Sequence, residues 1–226
     1  MIRGVVFDLD GTLIDSNAIK ARAFFEVVQR EDPDGAVVRE VLGRRPRGDR
    51  FEITRSIAIA LAERGVLGPD DPPEERALRW AADYSARCEK ELAVCAEIPG
   101  ASWILGELER LEIQAFISSS TPASALRRLV ESRGLAKRVA GVYGVPPDKL
   151  TNLGRIARGL EAPPEALVVV GDGEDDLAAA RAGGCHFVGV AAGRRDPFAP
   201  APSPELARGV RDLRELGPLL AKLQEG

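Results

Sequence analysis

Along most of the chain, short apolar runs alternate with longer segments in which apolar residues recur every three or four positions. The first run, Gly4-Val5-Val6-Phe7, is small or apolar throughout and carries two β-branched valines. That composition predicts a strand buried on both faces of a parallel sheet. Ala18, Ala21, Phe24, Phe25 and Val28 then predict a helix over roughly residues 17–30, broken by turn formers across 31–36. A short segment, 37–42, leads into an arginine-rich stretch at 43–50. Ile53, Ile57, Ala60 and Leu61 mark a second helix ending near Gly65. Asp70-Asp71-Pro72-Pro73-Glu74-Glu75 carries helix-start signals, with a capping acid, prolines in the first turn and acids near the positive end of the dipole. The helix it opens bears the stripe Ala77, Ala81, Tyr84, Cys88, Leu92, Cys95, which assigns both cysteines to a packed face.

From Pro99-Gly100 onward the rhythm changes. The pattern predicts a helix (Ile104, Leu105, Leu108, Leu111), a strand from Ile113 to Ser118, and a helix from Pro122 to Gly134. A strand near 139–142 and a helix through Leu150, Leu153, Ile156 and Leu160 follow. A strong strand at Ala166–Val170, a short helix through Leu177 and Ala180, and a strand at Phe187–Val190 come next. A proline-rich loop (196–204), a short strand near 207–210 and a C-terminal helix close the chain. Strands alternating with helices indicate βαβ units and a parallel sheet covered on both faces. The all-helical stretch after the first strand interrupts that pattern. The expected organisation is therefore an α/β core from residues 1–15 and 96–226, with a helical insertion at 16–95.

Composition narrows the class. At 226 residues, with 45% hydrophobic and 29% charged residues, the chain is long enough for a core and a companion unit. A formal net charge of −4 argues against non-specific nucleic-acid binding, which needs clustered excess cations. No apolar run reaches the roughly 18–20 residues needed to span a bilayer. The first strand begins so early that no room is left for a signal peptide, and a cytoplasmic location is the default expectation. Three cysteines, Cys88, Cys95 and Cys185, are too few and too scattered for a disulfide framework or zinc site. Oligomeric state is left between monomer and homodimer.

Candidate chemistry sits where the predicted strands end. In open parallel sheets ligands bind outside the carboxyl ends of the strands. The first strand delivers Asp8 and Asp10, which share a face because they are two residues apart. Two carboxylates about 4 Å apart repel by about 4 kcal/mol at an effective dielectric near 20, so a cation or a shared proton is expected beside them. The second strand delivers Ser118-Ser119-Ser120-Thr121, and the strong strand delivers Gly171-Asp172-Gly173-Glu174-Asp175-Asp176. Lys149 opens a helix after Pro146-Pro147-Asp148. Clustered carboxylate oxygens suit a hard cation such as Mg²⁺.

In this arrangement the chain closely resembles the haloacid dehalogenase superfamily, in its phosphatase branch with a helical cap. Asp8-Leu9-Asp10-Gly11-Thr12 matches the D-x-D-G-T signature, continued by Leu13-Ile14-Asp15-Ser16. Ser119, Lys149 and Gly171-Asp172-x-x-x-Asp176 match the second, third and fourth motifs. The resemblance covers the whole chain in order. It implies a doubly wound, Rossmann-like parallel sheet with an inserted all-helical cap domain, and Mg²⁺-dependent hydrolysis of a small phosphorylated metabolite through an aspartyl-phosphate.

The resemblance also implies the residue roles. Asp8 is the nucleophile and Asp10 the proton carrier. Ser119 binds a phosphoryl oxygen, with Ser118 and Ser120 as alternatives one register away. Lys149 neutralises Asp8 and the incoming phosphate. Asp8, the backbone carbonyl of Asp10 and Asp172 hold the metal, and Asp176 completes the metal site by supporting it rather than ligating directly, with Asp175 a rival for that role. Thr12 fixes the loop, and Ser120 joins the substrate-binding set. Arg45 and Arg47 either guide an anionic substrate from the cap or form a solvated loop. An acid at position 10 favours phosphoryl over carbon–halogen chemistry. The insertion offers only Lys20 and Lys90 to a Schiff-base, phosphonate-cleaving mechanism, neither in a convincing context. A sugar phosphomutase carries the same four motifs. A non-catalytic phosphate-binding module is the reading of another class, and a receiver-like domain is the rival fold.

Overall fold

Two valines in a run with no polar residue make Gly4–Phe7 (β1) a strand that only a two-sided covering can stabilise, and all four of its residues are buried. A computed structural model describes residues 1–44, 49–191 and 203–225. In it, β1 pairs in parallel with Gln114–Pro122 (β2) on one side and Leu167–Gly171 (β4) on the other. Gly141–Val145 (β3) extends the sheet beyond β2, and His186–Gly189 (β5) extends it beyond β4. The resulting order is β3-β2-β1-β4-β5, all parallel. The chain steps outward from β1 to β3, then returns across β1 to β4. The ends of β1 and β4 therefore flank the topological switch point, where a doubly wound sheet opens a crevice.

The described residues divide into two compact units, one of residues 1–17, 93–191 and 203–225, the other of residues 18–44 and 49–92. In the first unit both sheet faces are apolar. Val6, Phe116, Leu167 and Val169 pack against Leu153, Ile156 and Ala157 of the helix Lys149–Gly159 (α7), against Leu160 just after it, and against Ala179 and Ala180 of the helix Glu174–Gly183 (α8). The alternate residues Val5, Phe7, Ile117, Val168 and Val170 are equally buried. Two further helices contact β2, Ala101–Arg110 (α5) and Ala123–Ser132 (α6).

The second unit is all helical among the described residues. Asn17–Val28 (α1) leads into it, followed by Ala36–Gly43 (α2), Arg50–Glu63 (α3) and Pro73–Leu92 (α4). Phe24 stacks on Tyr84 with ring centroids 4.3 Å apart, and Thr54 Oγ1 donates to the Ala77 carbonyl at 3.0 Å, tying α3 to α4. Asp49 caps α3 reciprocally with Glu52.

Several expected boundaries move. Residues 37–42, read only as a connecting segment, lie in the α2 helix; the buried Asp32 carboxylate accepts from Val37 N (3.3 Å) and Val38 N (2.9 Å) and satisfies its first turn. α4 stops at Leu92, so Cys95 lies outside the helical stripe, where Arg133 donates to its carbonyl at 3.0 Å; Cys88 is buried as expected. β2 runs on to Pro122, and β3 is shifted towards Val145. The strand expected near 207–210 is cut short, because Ala207 ends a short helix, Pro204–Ala207 (α9), whose proline sits in the first turn. Only Val210 pairs, with Val190, in a single parallel bridge. The proline-rich loop falls mostly outside the described residues. The C-terminal helix Leu216–Glu225 (α10) follows a 3₁₀ turn at Leu213–Glu215.

Burial separates residues the core needs from those it tolerates. Ile104 on α5 is fully buried, whereas Leu78 on α4 is 60% exposed. Ile104→Ala is expected to cost about 2–5 kcal/mol of unfolding free energy, and Leu78→Ala about 0.5 kcal/mol or less. Urea denaturation of the two variants beside the parent measures the difference.

Candidate active site

Each strand end that faces the switch point contributes a polar group. Asp8 follows β1 directly, and its N–H still donates to the Val170 carbonyl of β4 at 2.8 Å, which carries the sheet ladder up to the acid. Asp172 follows β4. Asp176 lies in the first turn of α8, where the helix N-terminus favours negative charge, and its Oδ2 accepts from Gly173 N at 3.2 Å. A Cβ at Gly171 would sit 2.3 Å from the Asp176 carboxyl carbon, so only glycine lets that acid lie over the strand end. Lys149 is the first residue of α7. Asp148 caps that helix by accepting from Thr151 N at 2.8 Å, and Asn152 Nδ2 donates to the Gly144 and Pro147 carbonyls, which fixes the turn delivering the lysine.

The Lys149 ammonium is buried among acids. It lies 3.0 Å from Asp8 Oδ1, 2.6 Å from Asp176 Oδ1 and 2.9 Å from Asp175 Oδ2. Burial alone would lower its pKa, but Asp176, Asp8 and Asp175 outweigh that and raise it well above the usual lysine value. The acids answer in different ways. Burial raises Asp8 to about 6, against the pull of Lys149 and with further push from Asp10. Burial and the Asp8 charge raise Asp172 to about 7, against the Asn17 hydrogen bond. Burial also lifts Asp176 well above the ordinary carboxylate range despite Lys149. At the more exposed Asp175, burial is outweighed by Lys149 and by the Ser120 hydroxyl, and the pKa falls.

Asp8, Asp172 and Asp176 each place a carboxylate oxygen within 4.8 Å of the others. Three hard oxygen donors that burial makes costly to ionise are a fitting ligand set for a small divalent cation, which would relieve the charge their protons otherwise relieve.

The other expected residues take distinct positions. Asp10 turns its carboxylate to hydroxyls, accepting from Ser16 Oγ at 2.7 Å and Thr121 Oγ1 at 3.3 Å. Thr12 Oγ1 lies 3.4 Å from Asp172 Oδ1. Ser119 is buried and its Oγ accepts from Thr121 N at 3.1 Å. Ser120 Oγ donates to Asp175 at 3.0 Å. Ser118 Oγ is buried without a hydrogen-bond partner among the described residues, and Ser118 lines a small cavity with Asp8, Lys149 and Asp176. Between the rivals Asp175 and Asp176, it is Asp176 that lies with Asp8 and Asp172. Arg45 and Arg47 lie outside the described residues.

Three contacts escaped the sequence reading. Ser16 entered only as a continuation of the opening motif, Asn17 only as a helix start, and Thr121 only as one of a hydroxyl run. The one available signal was polar residues placed where the first helix should begin burying apolar ones.

Residues 2–184 match the family model of the haloacid dehalogenase-like hydrolases. The chain belongs to this family. It is similar to the phosphoglycolate phosphatase of Rhodospirillum rubrum, 29% identical over 209 residues, covering 88% of this chain and 84% of that one. Among crystal structures, this haloacid dehalogenase-like hydrolase superposes on a family hydrolase from Deinococcus radiodurans, solved with bound phosphate and sodium (TM-score 0.68, 22% identity, 99% of this chain and 96% of that one). It superposes equally on the β-phosphoglucomutase of Clostridium difficile (TM-score 0.68, 16% identity, 100% and 98%). Both likenesses concern the fold. Among the described residues no helix is long and apolar enough to cross a membrane.

The raised carboxylates set a pH dependence. A group whose folded pKa exceeds its unfolded one favours the folded state below the unfolded value and loses that contribution as pH rises through the folded value. For Asp8 the loss runs from the ordinary value of 3.8 up to about 6, and for Asp172 from 3.8 up to about 7. In chelator, the melting temperature should fall between about pH 4 and 7, and Mg²⁺ should raise it more at the upper end, because metal and protons compete for the same oxygens. Thermal melts in EDTA and in Mg²⁺ across this range test it; a Mg²⁺ increment independent of pH would contradict it.

Proposed function

We propose that the protein is a phosphoric monoester hydrolase that uses Mg²⁺ and an aspartyl-phosphate intermediate on Asp8 to hydrolyse a small phosphorylated metabolite. The observation that carries this reading is the buried group of Asp8, Lys149, Asp172 and Asp176 at the switch point of a family hydrolase. Asp8, Asp172, Asp176 and the backbone carbonyl of Asp10 would hold Mg²⁺, which when bound supplies positive charge to the phosphoryl oxygens. Lys149 keeps Asp8 ionised against the burial that raises its pKa, and adds positive charge where the phosphate arrives.

An Asp8 oxygen attacks phosphorus, and the ester P–O bond breaks with its electron pair leaving on the substrate oxygen. Asp10 gives that oxygen its proton. Water then attacks the phosphorus of the aspartyl-phosphate and passes a proton to Asp10. The P–O bond to Asp8 breaks, which frees phosphate and restores the carboxylate. Ser16 and Thr121 hold the Asp10 carboxylate while it gives and takes this proton. Ser119 donates its hydroxyl proton to a phosphoryl oxygen while its Oγ still accepts from Thr121 N, and Ser120 and Thr12 keep Asp175 and Asp172 in position. The insertion at 16–95 acts as the cap that selects substrate, through Arg45 and Arg47 among others. The named relative makes phosphoglycolate the first substrate to test.

Hydrolysis of an aryl phosphate should require Mg²⁺ and be lost in Asp8→Asn. Asp10→Asn should turn over slowly and accumulate a trappable phospho-enzyme. Activity in excess chelator, or a fully active Asp8→Asn, would remove the mechanism. Replacing Arg45 and Arg47 by alanine should raise KM for the natural substrate, and an unchanged KM would return those arginines to the role of a solvated loop. A screen of phosphorylated metabolites for phosphate release, with phosphoglycolate and sugar phosphates included, identifies the substrate.

A further inference from the structure

We propose that Asn17 is a positioning residue for the metal site, and that its side-chain amide sets the affinity for Mg²⁺ by fixing the Asp172 carboxylate. The proposal rests on the reading of Asp172 as a metal ligand.

The geometry is specific. Asn17 Nδ2 donates to Asp172 Oδ2 at 2.7 Å across 155 residues of sequence, while Thr12 Oγ1 lies 3.4 Å from Oδ1 of the same carboxylate. Both oxygens of Asp172 are thereby held, and the carboxylate plane is fixed with one oxygen in the group formed with Asp8 and Asp176. The contact also has its own space. Gly11 has φ +75°, and a Cβ built on it would lie 2.2 Å from Asn17 Nδ2 and 2.3 Å from Asp172 Oδ2. The amide-to-carboxylate bond therefore passes over the bare face of Gly11, and any side chain there would part the two groups. The left-handed backbone at position 11 thus turns the chain and leaves the opening through which Asn17 reaches its partner.

A carboxylate that ligates a metal needs its remaining lone pairs committed elsewhere, or it rotates among geometries that serve the cation less well. Loss of such a supporting partner typically weakens metal binding 10–100-fold. Asn17 suits this role better than a lysine or arginine would. A full positive charge at 2.7 Å would compete with the cation for Asp172, whereas a neutral amide orients the acid and leaves its charge for the metal.

The experiment is calorimetric titration of Mg²⁺ into the metal-free full-length protein, for the parent, Asn17→Ala, Asn17→Asp and Asp172→Asn, each checked for folding by circular dichroism. Asn17→Ala is expected to weaken Mg²⁺ binding by about 10–100-fold, with kcat on an aryl phosphate recovering when Mg²⁺ is raised to saturation. Asn17→Asp keeps the side chain's size but removes the donor, and is expected to weaken binding as well. A role through charge alone predicts that the added carboxylate tightens it, and that result would overturn the proposal. Parent-like affinity in Asn17→Ala alongside loss in Asp172→Asn would overturn the proposal and leave the metal reading intact. Parent-like affinity in Asp172→Asn would overturn both.

Discussion

One buried ammonium holds the site together. Lys149 lies at hydrogen-bonding distance from Asp8 and Asp176, in a position where neither it nor they could be ionised alone. Removing any one partner would strand the others' charge in an apolar setting, which is far costlier than losing an exposed pair. Everything around the lysine is arranged to keep it there. Asp148 caps its helix, Asn152 ties down the preceding turn, and Leu153 and Ile156 anchor the helix on the sheet. The surplus of acids over that single cation is what makes a metal the natural complement of the site.

The sheet explains why these groups meet. A four-residue strand with parallel neighbours on both sides can be only the middle of a sheet, and the order of the strands makes its end the place where the chain reverses direction. Asp8 stands at that end because the apolar run stops there. The geometry of the acid cluster is thus a by-product of where hydrophobicity gives out along β1 and β4.

Much of this was legible in the sequence, for identifiable reasons. Buried parallel strands read as unbroken apolar runs, so β1 and β4 were found within a residue of their ends, and with them Asp8 and Asp172. Lys149 was legible as a helix-start residue after Asp148, and the resemblance to the family's third motif gave it a role that the spacing around Pro146-Pro147 blurs. Weaker signals misled. β3 carries glycine and tyrosine in place of a β-branched run, and its edge position lets it slide by two or three residues. The segment at 207–210 looked like a strand from its apolar residues, but a proline at a helix start decided otherwise. Asn17 and Ser16 were invisible because their meaning lies in partners fixed only by the fold. For Asn17 that partner is 155 residues away; for Ser16 it lies nearby across a turn that periodicity does not describe.

The central placement of β1 also bears on how the molecule is made. Its residues are synthesised before those of its two sheet neighbours, which follow only after the helical insertion and, for β4, after three further helices and β3. Lys149 and Asp8 are separated by 141 residues. Contacts of such long range slow folding, because loop closure must precede any return from them. The acids and the lysine lie on separate elements around one sheet, so the pairing of β1 with β4 that brings Asp8 and Asp176 together needs the same fold that places Lys149 between them. Until its neighbours are made, the nascent chain carries an unpaired apolar strand, a kind of segment open to association with other chains.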